Sequence, residues 1–173
     1  MNLNADKIRA VKGELDAQAV YREVKQSGDF LGFTRQFMHG DEERVVRNAF
    51  WVLTKATDKE LSQLQGMMNE LIELALNTPW SSVRRLSLNI IERLKMEEDD
   101  LRTDFLDFCL EHMADVDELP GIQSLSMKLA YRMCRFYPEL LAEFKMTLES
   151  MEPEYYKPAV NCVRSRILRG KLQ

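Results

Sequence analysis

The 173 residues carry 24 basic and 28 acidic side chains, a net charge of −4, with 45% hydrophobic and 30% charged residues. That is a globular balance, at a length that buries a core without disulfides or metals. Its acidic sign argues against a sequence-independent grip on a phosphate backbone, which needs clustered positive charge. No apolar run approaches the roughly 20 residues that cross a bilayer. The first seven residues are polar and unlike a secretory signal. Cys109, Cys134 and Cys162, an odd set with no C-x-x-C, read as reduced, mostly buried thiols. A cytoplasmic protein with no cofactor and no metal is expected.

The elements follow one frame. Ile8, Val11 and Leu15 open an i, i+3, i+7 apolar stripe, which predicts a helix with one buried face. Gly28 breaks the chain, Phe30 marks a second helix, and Gly40 ends the unit. The stripe returns at Val46, Ala49 and Leu53, after 38 residues. Thr57-Asp58-Lys59-Glu60 is a capping box opening the next helix, which carries Leu64, Met68 and Leu71/Ile72. Thr78-Pro79 closes that unit, and Val83, Leu86 and Ile90 repeat the stripe after 37 residues. Glu97-Glu98-Asp99-Asp100 places negative charge where a helix dipole favours it, ahead of Leu101, Phe105 and Phe108/Cys109. After Pro120-Gly121 come Ile122, Leu125 and Leu129; Pro138 suits the first turn of a helix with Leu140, Phe144 and Leu148. Val160, Val163 and Ile167 end the series shortly before Gly170.

The expected organisation is one domain over 1–173, with helix pairs at about 5–40, 41–78, 79–118 and 120–153 and a half unit at 154–170. Each pair can bury its stripe only against its neighbours, so the pairs must stack. The first helices opening Val46-Arg47-Asn48-Ala49 and Val83-Arg84-Arg85-Leu86 resemble HEAT or HEAT-like repeats. That resemblance covers nearly the whole chain and implies an all-α, right-handed α-α superhelix (a HEAT-like solenoid) of about four and a half helix pairs. It departs at Gln123 and Asn161, which stand where Arg9, Arg47 and Arg84 stand in the other units.

On that resemblance the second helices line a concave groove, and their outward positions are acidic. Glu70, Glu73, Asp104, Asp107 and Glu111, with Trp80 as an aromatic anchor, are therefore the candidate partner-binding residues. A protein partner is expected and nucleic acid is not, and an uncapped end of the stack would let copies associate. Arg9, Arg47 and Arg84 could ladder an anion, although intramolecular pairing with acids of the next unit is the simpler reading. Trp51 reads as packing rather than as an anchor. His39 and His112 stand alone, and most of the ten methionines fall at core spacing. Arg164 to Lys171 form a basic end that complements a last helical turn. No phosphate loop, G-x-S-x-G or H-E-x-x-H is present, so no catalytic residue is expected and the chain reads as a non-enzymatic scaffold. The alternative is a DNA-binding role. HEAT-like alkylpurine DNA glycosylases share the architecture, and Arg47-Asn48-Ala49-Phe50-Trp51 resembles their aromatic-bearing helices, but no Trp and Asp pair matches position by position.

Overall fold

Helix forms wherever the apolar stripe and its punctuation coincide, and the computed structural model, which describes residues 2–172, has no strand among them. The chain divides into two compact bodies, Met1–Lys95 and Met96–Gln173. The division falls inside the third expected repeat, between its two helices.

In the first body α1 (Ala5–Arg9) is short, capped by the Asn4 side chain, which accepts from the Lys7 N–H at 3.0 Å. Leu15 does not continue its stripe. The chain breaks at Gly13, α2 (Glu14–Ser27) starts in a new direction, and Leu15 is left 85% exposed while Ile8 and Val11 are buried. Gly28 then ends α2 at φ 72°, a left-handed conformation that costs glycine least. α3 (Phe30–Phe37) and α4 (Glu43–Leu53) follow. The capping box at Thr57 is formed as expected, but it starts only a four-residue α5 (Asp58–Leu61). A 3-10 stretch, Ser62–Met67, intervenes before α6 (Met68–Asn77), so the second helix of this repeat is bent rather than continuous. α7 (Ser81–Arg93) completes the body. Helix α4 is its hub, packed against α1, α2, α3 and α7, while α6 packs on α7.

In the second body the acidic run makes a 3-10 turn of its own, Glu98–Asp100, closed by Glu97 and Asp100 as a capping box. The helix expected there begins later, as α8 (Thr103–Ala114). α9 (Pro120–Cys134) and α10 (Pro138–Ser150) each carry a proline in the first turn, and α11 (Pro158–Leu168) does the same. Here α9 is the hub, against α8, α10 and α11. Among the largest fully buried side chains are Phe30, Phe33 and Phe50 in one body and Phe105 and Phe144 in the other. Truncating any of them to alanine removes about 3–5 kcal/mol.

No helix of the described residues is long and apolar enough to cross a membrane.

Candidate functional site

Arg44, Arg47, Trp51 and Thr54 recur at helical spacing along one face of α4, and Arg85, Asn89 and Arg93 do so along α7. Because α4 and α7 pack side by side, the two rows face a common groove of about 740 Å³. Val11 and Lys12, just past α1, together with Asn48 and Leu86, complete its lining. Five of these eleven residues are basic and none is acidic.

Three polar lining residues are committed to the fold, Thr54 by donating from Oγ1 to the Trp51 carbonyl at 2.5 Å. Asn48, only 1% exposed, donates from its amide to the Ile8 and Val11 carbonyls at 2.9 and 3.1 Å and ties α1 to α4. Arg93 donates to Asp58 Oδ1 at 2.9 Å and to the Thr54 and Ala56 carbonyls at 3.2 and 2.6 Å. The side chains of Lys12, Arg44, Arg47 and Arg85 are different. Among the described residues they make no hydrogen bond or ion pair, although Arg44 lies near enough to Glu42 to help hold its carboxyl low. Trp51 is half-buried, with Lys55 Nζ 5.7 Å from its ring centroid; Lys55 itself is paired with Glu14 at 2.8 Å.

The arginine ladder resolves into unlike members. Arg9 does pair with the next repeat, donating to both oxygens of Glu42 at 2.8 to 3.0 Å. Arg84 instead caps the end of α6, donating to the Ala75 carbonyl at 2.9 Å and the Thr78 carbonyl at 2.6 Å. The two departures from arginine do the same work with amides. Gln123 donates to the Asp115 carbonyl at the end of α8, and Asn161 donates to the Pro153 and Tyr156 carbonyls. Arg47 alone of these five turns its charge to the groove.

The acidic candidates lie elsewhere, and none of them lines this groove. Glu70 approaches Arg35 at 3.5 Å, and Glu73 accepts from Asn77 at 2.9 Å. Glu73 and half-buried Trp80 come together beside a smaller cavity of about 330 Å³, with His39 and Pro79. In the second body Asp104 accepts twice from Arg102, whose guanidinium holds that carboxyl below its usual range. Asp107 and Glu111 are exposed on α8, and their side chains make no hydrogen bond or ion pair among the described residues.

The remaining reactive groups are placed for packing. Burial pushes the Cys109 thiol well up and Cys134 to about 11, so both stay protonated and inert. Cys162 is the exposed member of a set of free thiols that is otherwise buried. His112 does not stand alone: it meets Glu118 at 2.5 Å and stacks on Phe108 with centroids 3.9 Å apart. Met67, Met68, Met127, Met133 and Met151 are buried as expected, while Met146 is exposed. Arg164 donates to the Leu148 carbonyl at 2.6 Å. No group of His, Cys, Asp and Glu among the described residues could hold a metal ion.

Sequence reasoning singled out Arg47 and Trp51 but missed Lys12, Arg44, Arg85 and Asn89. The available signal was the absence of acids along the 44-47-51 and 85-89-93 rows. Those rows become one site only once two helices some 40 residues apart are packed together.

No curated protein and no solved structure matches the chain. A family model described as a HEAT repeat domain matches residues 5–171, and on that match the chain belongs to the HEAT repeat family.

Proposed function

We propose that this protein is a non-enzymatic helical-repeat binding module of the cytoplasm, whose ligand surface is the basic groove between α4 and α7 and whose ligand is a macromolecular anion. One observation carries the reading: four cationic side chains converge on a groove with no carboxylate in its lining and no partner of their own. Elsewhere in the same body cations are consumed by the fold, as at Arg9, Lys55 and Arg84. Holding like charges together unpaired destabilises a protein unless something else binds them.

The test is retention on immobilised heparin at low salt. The wild type is expected to bind and to elute as salt rises. The double variant Arg47→Glu/Arg85→Glu should flow through with an unchanged circular dichroism spectrum. Wild-type protein that ignores heparin at low salt removes the reading.

Exposed, unpaired Asp107 and Glu111 favour a second surface. In that reading a cationic protein partner is held on the second body by the acidic α8 residues Asp104, Asp107 and Glu111. Capture of a basic partner that survives Arg47→Glu/Arg85→Glu but not Asp107→Lys/Glu111→Lys would distinguish it.

A further inference from the structure

We infer that the occupant of the α4–α7 groove is a short stretch of single-stranded nucleic acid, its phosphates on the free cations and one base against Trp51. The inference rests on the anion-binding reading above and adds the chemistry of the ligand.

Three features select this occupant over an acidic peptide or a duplex. The first is that charge and aromatic surface alternate. Arg44, Arg47 and Trp51 succeed one another at about one helical turn, roughly 4.5 and 6 Å apart along α4 at 1.5 Å per residue. A strand of nucleotides presents negative charge and flat rings at that scale. Stacking on an aromatic side chain is tolerant of sequence because every base has a π-face. An acidic peptide would use the cations and offer no flat ring to a half-exposed indole whose ring contact is Lys55 Nζ at 5.7 Å. The second is Asn89. It is half-buried on α7, its side chain has no hydrogen bond among the described residues, and its one amide offers both a donor and an acceptor to a base edge. The third is size. About 740 Å³ falls in the range that encloses a drug-sized ligand, enough for part of a strand, and a base laid on Trp51 must be out of the stack, which an intact duplex does not offer.

The overall charge of −4 does not oppose this. Of the acids beside the lining, Asp58 is matched by Arg93, Glu42 by Arg9 and Glu14 by Lys55, and acids more than about 8–10 Å away are screened at physiological salt.

Fluorescence anisotropy with a labelled oligothymidylate, a labelled polyglutamate of equal charge and a duplex of equal length tests the assignment. It is run on wild type, Trp51→Leu, Trp51→Phe and Arg47→Glu/Arg85→Glu, each first shown to be folded. The oligothymidylate should bind best, with log K falling against log salt at a slope of about −3, as four phosphate contacts give on a single strand. Trp51→Leu should weaken it about tenfold while leaving polyglutamate unchanged, and Trp51→Phe should restore most of the loss. The double charge variant should lose both ligands. Polyglutamate binding as tightly as the oligonucleotide, with no effect of Trp51→Leu, overturns the inference and leaves anion binding intact. A duplex binding tighter than the single strand also overturns it. No polyanion bound by folded protein at low salt overturns both readings together.

Discussion

Arg84 on α7 and Arg47 on α4 hold the same step of successive repeats, yet their surroundings differ. Behind Arg84 the second helix α6 runs up to Thr78 and leaves carbonyls that lack helical partners, and the guanidinium takes two of them. Behind Arg47 no such bond forms, and the charge turns into the groove beside Trp51. One repeat position therefore serves as a structural clamp in one place and, on the reading proposed above, as binding surface in another. The lesson is to look for function in a helical repeat where the repeat's own chemistry is left unmade.

Exchanging the two arginines for methionine is the sharpest way to break that comparison. Methionine keeps the aliphatic bulk and the helix propensity of arginine. Arg84→Met should cost about 1.5–3 kcal/mol of stability, the range for hydrogen bonds from a charged donor, with little change in heparin retention. Arg47→Met should stay within about 0.5 kcal/mol of wild type and elute from heparin at lower salt. Chemical denaturation and the heparin column together read both effects. Equal stability losses at the two sites would end the distinction.

Gln123 sharpens it from the other side. It is 2% exposed and holds the Asp115 carbonyl from a position that the three preceding repeats fill with arginine. If the position is structural here, Gln123→Met should cost about 1 kcal/mol, less than Arg84→Met because the donor is neutral and takes one carbonyl. Gln123→Ala should cost more, because it adds a cavity to the lost bond.

Most of the fold could be read from the chain. The stripes at Val46, Val83, Ile122 and Val160 lie on helices whose first-stripe residues are fully buried, and the capping box at Thr57 forms as written. The misreadings are local. Leu15 matched the stripe by spacing, but Gly13 had already turned the chain, and an i, i+7 count does not register a break between its members. The acidic run at Glu97 caps its own 3-10 turn, because a side chain three residues on competes with a distant helix for the same N–H groups. The site was less legible than the fold. Net charge averages over the surface, whereas the groove depends on which side chains of α4 and α7 end face to face and which are already bound. Arg93 and Arg85 lie on the same row of α7, and only packing shows that Arg93 is tied to Asp58, Thr54 and Ala56 while Arg85 is free.

Arg9 offers the gentlest test, because its pairing is ionic and exposed, where salt bridges contribute little. Its guanidinium donates to both Glu42 oxygens and also meets Asp6, and this contact joins the first repeat to the second. The hydrogen bonds from Arg9 hold the Glu42 carboxyl below its ordinary value of 4.5, and the Arg9 guanidinium is in turn driven further up, so it stays charged throughout. A carboxyl lowered by folding stabilises the native state above its unfolded value, and that contribution is lost as the pH falls through the folded one. The melting-temperature difference between wild type and Glu42→Gln should therefore be constant from neutral pH down to about 5 and shrink below 4.5. Added salt should shrink it at every pH, as it does any exposed pair. The same comparison on Arg47→Met should give no such acid limb, since no carboxylate is paired with Arg47. An acid limb there would mean that the groove cation is bound after all.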